Sequence, residues 1–387
     1  MVEVRAAVNV ARKLEWHEKS FPLEVINWSM QQMNVTTVHN QTQVGPLPQD
    51  HPPVKKQKIG VLLLNLGTPD ATDYWSVRRY LSEFLSDKRV IDYPSWLWQP
   101  LLQGIILTSR PFKSGKAYQS IWDMRTNESP LLVYTRSMAE KISKEFEDHD
   151  NIVVEFGMRY GNPSTAKMLD SLKEQGCSKI LLFALYPQYS ATTTGTAYDK
   201  AFDYLKKQAW QPTVRTAPGW YDEESYIEVL ADSIKEKLDE LETPPEVFLT
   251  SFHGLPKRYL MEGDPYHCFC AKTSRLVQEK LGWPKDKWIT TFQSRFGPEE
   301  WLQPYTDKTI EKLAHDGVKR IAIASPAFVC ECIETLEEIA MEARDEFLEA
   351  GGEEFTYIPC LNDRDSHIKL LSGLIRRELL GWVDFGG

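Results

Sequence analysis

The sequence predicts an α/β protein built on parallel sheets covered by helices on both faces. Two observations carry this. From Lys58 onward, apolar runs of strand length, rich in Val, Ile and Leu, alternate with amphipathic stretches of helix length. Polar and aromatic residues with chemical capability crowd the positions just after those runs, where open α/β sheets bind their ligands. A length of 387 residues accommodates two domains or one large two-lobed unit.

The runs that read as strands are Ile59–Leu66, Ile152–Met158, Lys179–Leu185, Val247–Phe252, Trp288–Phe292, Arg320–Ala324 and Glu354–Ile358. Helical periodicity fills the intervals over Leu131–Glu147, Ser164–Glu174, Ser225–Leu241, Thr273–Leu281, Gln303–His315, Ile333–Glu349 and Ser366–Leu379. No internal repeat is visible, and a division falls near Thr196–Thr243. Residues 1–57 read differently, as a disordered extension or an overlong start with the true initiator at Met30 or Met33. Acids at Glu3, Glu15, Glu18 and Glu24 argue against a mitochondrial-type presequence there.

Composition narrows the function classes. With 42% hydrophobic and 26% charged residues, the chain is ordinary for a soluble globular protein. A net charge of −10 with no long Lys/Arg run argues against nucleic acid. The six cysteines do not make a disulfide scaffold at this length, and no signal peptide precedes them, so a reducing cytoplasm is expected. No run of 18 apolar residues exists; the nearest approach, Tyr93–Leu107, is too short and is interrupted by Gln and Pro.

The segment from Pro326 to Ile339 is the most informative. It follows the run Ile321–Ala324 and sets Glu331, Glu334 and Glu338 at offsets of three and four, on one face of a helix. The run Val247–Phe252 delivers His253 at a comparable place. If the two runs are neighbouring strands, an imidazole and a row of carboxylates face one cleft, which suits a divalent metal and proton transfer. Other strand ends carry Gly67-Thr-Pro69, Arg159-Tyr160, Tyr186-Pro-Gln-Tyr-Ser190 and Gln293-Ser294. No P-loop or GxGxxG is present, which disfavours a nucleotide. Each feature also has a plain structural reading. The acids suit a helix start, Thr192-Thr-Thr194 a cap, and Arg159 an internal ion pair.

Taken together, these motifs resemble the ferrochelatase family. The likeness rests on Leu62–Pro69, Arg159-Tyr160, Tyr186–Gly195, Ser251-Phe-His-Gly-Leu-Pro256 and Gly263-Asp-Pro-Tyr266. It continues through Gln293-Ser294, Gly297-Pro298, Trp301-Leu302 and Ile333-Glu-Thr-Leu336, in order over about Lys58 to Leu380. The resemblance implies two Rossmann-like domains with parallel sheets flanked by helices, a chelatase-like fold. Their expected bounds are 58–190 and 191–350, with a strand and helix over 351–387 returning to the first domain. It implies insertion of Fe2+, a substrate, into protoporphyrin IX to form protohaem, the last step of haem biosynthesis. A coproporphyrin or cobalt chelatase on the same fold is the alternative, and a non-catalytic haem or porphyrin carrier the rival of another class.

Within that resemblance, His253 and Glu334 hold the metal or take pyrrole protons from opposite sides of the ring, and Glu338 lies deeper on a proton or metal path. Arg159, Tyr160, Tyr189, Gln293, Ser294 and Trp301 line the porphyrin pocket. The segment Tyr93–Leu107, with Trp96 and Trp98, forms an apolar lip suited to peripheral contact with the inner face of the cytoplasmic membrane. Animal relatives hold a [2Fe–2S] cluster through an internal cysteine and three near the C-terminus. Here the internal position is Ala191 and no cysteine follows Cys360, so only Cys268, Cys270, Cys330 and Cys332 remain as ligand candidates, at C-x-C spacing. The sequence leaves the oligomeric state open.

Overall fold

Four consecutive apolar residues, Val61, Leu62, Leu63 and Leu64, are completely buried, which a strand achieves only when both faces of its sheet are covered. They belong to β1 (Lys58–Thr68), which pairs in parallel with β2 (Ile152–Gly161) and β3 (Cys177–Ala184). A fourth strand, β4 (Thr213–Thr216), extends the sheet to the order β2-β1-β3-β4. The second sheet is built from β5 (Val247–His253), β6 (Trp288–Gln293), β7 (Arg320–Ala324) and β8 (Glu354–Ile358), in the order β6-β5-β7-β8, again all parallel. This is the expected pair of Rossmann-like sheets, and the two share one strand order. The computed structural model describes Asp50 and residues 56–385. Apart from Asp50, Lys56 and Gln57, the expectation for residues 1–57 falls outside the described residues.

The helices are α1 (Tyr74–Leu85), α2 (Ser95–Leu101), α3 (Leu107–Ile121), α4 (Pro130–Glu145), α5 (Thr165–Glu174), α6 (Thr196–Leu205) and α7 (Glu224–Asp239). They continue as α8 (Lys257–Met261), α9 (Tyr266–Leu281), α10 (Thr306–His315), α11 (Ile333–Leu336), α12 (Arg344–Glu349) and α13 (Asp365–Leu379). Local chemistry sets their starts. The Asp73 carboxylate accepts from the Trp75 and Ser76 amides to cap α1, and Ser129 caps α4 with Pro130 at its first position. The C-terminal helix α13 packs against α4, α7 and β3.

Two expectations need correction. The break at residue 190 cuts through the first sheet's half, because α6 and β4 lie beyond it, and β8 of the 351–387 segment joins the second sheet rather than the first. The strand β4, Thr-Val-Arg-Thr, is a four-residue edge without an apolar run, so it left no signal. The stretch expected as one helix over Ile333–Glu349 is α11, a π-helical turn over Glu338–Ala343, and then α12. Glu331 precedes α11 and Glu338 opens the π turn, so the three acids do not lie on one regular helical face.

Candidate active site

The second sheet's strand ends assemble the chemistry. His253 closes β5 and Gln293 closes β6, and the two are register partners. Beyond β7 the chain crosses Ser325–Cys332 and enters α11, which carries Glu334. His253 Nδ1 lies 2.7 Å from the Gly254 carbonyl. A carbonyl can only accept, so Nδ1 bears a proton and Nε2 is the nitrogen left to serve as a general base or metal ligand. Gly254 is required here: a Cβ would stand 2.7 Å from the Gln293 carbonyl and 3.2 Å from the Trp301 ring. Trp301 thus packs directly on the turn behind His253, with its indole N–H buried and unpartnered.

Glu338 lies at the first residue of the π turn. Its carboxylate accepts from the Ser294 hydroxyl and, at 3.1 Å, from Gln293 Nε2. Burial, followed by the Glu334 charge, pushes its pKa up, against the opposing hydrogen bond of Ser294, the charge of His253 and the hydrogen bond of Gln293. Ser294 holds φ at +64°, a left-handed conformation uncommon outside glycine, and so turns its hydroxyl onto that carboxylate. The neighbouring Glu337 is pushed up to about 7 by burial and by the charges of Glu342 and Glu338, with Lys113 of α3 opposing. Beside Glu334 lies a narrow cleft, with room for about 10 Å³, whose lining includes Thr68, Tyr80, Tyr118, Cys332 and Ile333. Burial, with the Glu334 charge contributing, raises the Tyr80 and Tyr118 phenols, which stay neutral.

The other expected residues are placed differently. Glu331 precedes α11 and is buried, accepting from Thr335 Oγ1 at 2.5 Å, Tyr357 Oη at 2.7 Å and the Cys360 amide at 2.9 Å. It holds the Cys330–Cys332 loop against β8 and does not share a face with Glu334. Arg159 and Tyr160 sit at the end of β2 in the first sheet. Arg159 donates to Asp87 and, at 2.6 Å, to Thr196 Oγ1, while Tyr160 Oη donates to Asp87 at 2.7 Å. The plain reading of Arg159 as an ion pair is therefore what its contacts show. Tyr189 brings its phenol against Gly195, where a Cβ would stand 3.2 Å from the hydroxyl.

Three features escaped the sequence reading. Arg110 of α3 lays its guanidinium over the Phe296 ring, 4.8 Å from the centroid, just beyond β6. Burial holds it below the usual arginine range, with no carboxylate offsetting the shift. Tyr80 and Tyr118 flank Glu334 from α1 and α3; only the tertiary fold brings them there. The lip also divides in a way its composition did not show. Trp96, Leu97, Leu101 and Ile105 are exposed, whereas Trp98 is 8% exposed and donates its indole N–H to the Leu85 carbonyl at 2.6 Å. Trp98 anchors the lip and is not part of its outer face.

The cysteines do not fit a cluster. Cys268 is exposed on α9, and Cys270 packs in a core with Phe252 and Phe292. Cys330 and Cys332 lie in the main core, among Leu63 and Ile358. Among the described residues no three His, Cys, Asp or Glu side chains are grouped to hold a metal ion. Burial pushes the Cys330 thiol up to about 12, against hydrogen bonds with Asn65 and Thr135, which makes it a core residue rather than a reactive one.

Paired four-stranded parallel sheets with polar and titratable side chains gathered beyond their carboxyl ends define a chelatase-type α/β protein. The fold is similar to SirB from Bacillus subtilis with Fe3+, with a TM-score of 0.51, 11% identity and coverage of 85% of this chain and 100% of that one. At that identity the likeness concerns fold alone. The Ferrochelatase family model matches residues 58–379. Ferrochelatases from Allorhizobium ampelinum and Agrobacterium fabrum are 59% and 57% identical, each match covering 88% of this chain and 99% of the relative. That of Rhodobacter capsulatus is 56% identical over 87% of this chain and 97% of its own. The chain belongs to the ferrochelatase family and is a metal chelatase.

Proposed function

We propose that this chelatase inserts ferrous iron into protoporphyrin IX to form protohaem, with His253 and Glu334 acting on opposite faces of the ring. The observation that carries the assignment is the His253 imidazole, its Nδ1 tied to the Gly254 carbonyl, in register with Gln293, whose amide holds the Glu338 carboxylate and the main chain of Glu334. Insertion releases two pyrrole protons for each Fe2+ bound. Nε2 of His253 takes one and the Glu334 carboxylate the other, each acting as a base beside the nitrogen it serves. Glu338, with its raised pKa, and Glu337, near 7, form the onward path for protons from Glu334. His253 and Glu334 also suit a borderline cation while leaving positions open, so the iron is passed on rather than stored.

The rim favours an apolar macrocycle with few carboxylates. Trp96, Leu97, Leu101 and Ile105 present an apolar surface, and the desolvated Arg110 guanidinium is matched to a propionate by a charge-assisted hydrogen bond. The same outer face suits contact with a membrane surface; among the described residues no helix is long and apolar enough to cross one. Fe2+ insertion by the purified protein, with protoporphyrin compared against coproporphyrin, tests the reading. Turnover with protoporphyrin that is lost in His253→Ala is the expected result. Absence of turnover in the unmodified protein, or undiminished turnover in the variant, overturns it.

A further inference from the structure

Gln293 is 6% exposed, and its side chain has no free donor. Its Oε1 accepts from Ser251 Oγ at 2.8 Å, and that hydroxyl is held from behind by Thr306 Oγ1 at 2.9 Å. With Oε1 fixed on the serine, Nε2 faces α11. One N–H goes to the Glu334 main-chain carbonyl at 2.7 Å and the other to Glu338 Oε2 at 3.1 Å. The main chain of Gln293 reaches the other way, its carbonyl accepting from the Gly254 amide at 2.8 Å, one residue past His253. A single buried residue therefore touches the His253 turn, the backbone under Glu334 and the carboxylate of Glu338.

We propose that Gln293 is a positioning residue that fixes the spacing of His253 and Glu334 by tying the end of β5 to α11, and that it makes no contact with porphyrin. Both N–H groups are committed inside the protein, so a porphyrin carboxylate would have to break the tie to reach them. Opposed bases act only if each stands within hydrogen-bond reach of its nitrogen, and a displacement of about 1 Å costs on the order of 100-fold in rate. The inference rests on the assignment of His253 and Glu334 as the bases.

The test compares Gln293→Leu, Gln293→Glu and Ser251→Ala with the unmodified protein, each at full length. Turnover with Fe2+ is normalised to sites that bind protoporphyrin, and porphyrin affinity is read by fluorescence quenching without iron. Gln293→Leu should lose about 100-fold in kcat, with KM and Kd for porphyrin within about twofold. Gln293→Glu should lose at least as much, because it sets an acceptor against the Glu334 carbonyl and the Glu338 carboxylate. Ser251→Ala, which frees the amide to turn, should lose less. A merely structural role would lower the melting temperature and the number of binding sites but leave kcat per site unchanged, and that result overturns the proposal. So does a raised porphyrin Kd with unchanged kcat. Should Gln293→Leu fail to fold, Ser251→Ala and Gln293→Asn, one methylene too short to reach α11, decide by the same criteria. His253→Ala and Glu334→Gln run in parallel. Turnover surviving in those two defeats the assignment of the bases, whereas their loss beside a normal Gln293→Leu defeats only the positioning role.

Discussion

The two sheets share a strand order, yet their carboxyl edges are electrostatically opposite. At the edge of the first, Asp87 meets Arg159, Thr196 and Tyr160, and the Arg159 and Asp87 side chains are only 11% and 7% exposed. Burial alone would raise the Asp87 pKa, but the hydrogen bonds of Thr196 and Tyr160 and the Arg159 charge outweigh it, and the carboxyl is held low. At the edge of the second, burial and Glu334 raise Glu338, which receives hydrogen bonds from Ser294 and Gln293 in place of a full cation. A buried carboxylate is therefore paired with a cation and held low at one edge, and left without a full cation and raised at the other. A charge at a strand end is informative only together with its partners.

Substitutions that act on one edge and spare the other sharpen this contrast. The largest effect belongs to Glu334→Gln, which should cut kcat about 1,000-fold with little change in thermal stability, measured as Fe2+ insertion and by calorimetry. Asp87→Ala should do the reverse. It leaves Arg159 buried and unpaired and should destabilise by about 3–5 kcal/mol in urea titration, with kcat per folded molecule within about threefold. An Asp87 variant of normal stability but no activity would break the comparison and move chemistry to the first edge.

The lip offers a smaller version of the same split. Trp98→Ser should destabilise by about 3–5 kcal/mol through cavity formation, whereas Trp96→Ser should leave the fold within about 0.5 kcal/mol and weaken co-sedimentation with lipid vesicles. Equal lipid binding by the Trp96 variant would remove the exposed face from membrane contact.

A last effect lies at the start of α13. Burial holds His367 at about 4, below the ordinary 6.5, while its Nδ1–H donates to the Asn362 carbonyl at 2.6 Å. The unfolded chain takes up this proton below about 6.5 and the folded one only near 4. Stability is therefore complete above that range and falls with pH through it, by up to about 3 kcal/mol. Urea midpoints at pH 7.5 and 4.5 should diverge less in His367→Gln than in the unmodified protein.

Most of the fold was legible because its central strands are buried on both faces and so appear as unbroken apolar runs. The exceptions have physical reasons. The strand β4 is a short edge, and the first turns of α9 carry Tyr266, His267 and Cys268, whose mixed character hides the helical period. The strand-end residues His253 and Gln293 could be seen because they follow such runs directly. The role of Gln293 could not, since its partners at Ser251, Glu334 and Glu338 lie about 40 residues away in sequence. Nor could the separation of Glu331 from Glu334, because Glu331 lies in a loop before α11, buried against Tyr357, and not in the single helix that the spacing implied.

The connection between the first two strands of each sheet runs over residues 69–151 in one half and only 254–287 in the other. All of the lip, including Trp96 and Trp98, and Arg110 just after it are carried by the longer one, while His253, Gln293 and Glu334 belong to the other half. On the roles proposed above, a lineage can lengthen, trim or repaint this insertion without touching the strand ends that carry His253 and Gln293 or the helix that carries Glu334. Under the proposed assignment, substrate choice and bond-making are separately heritable.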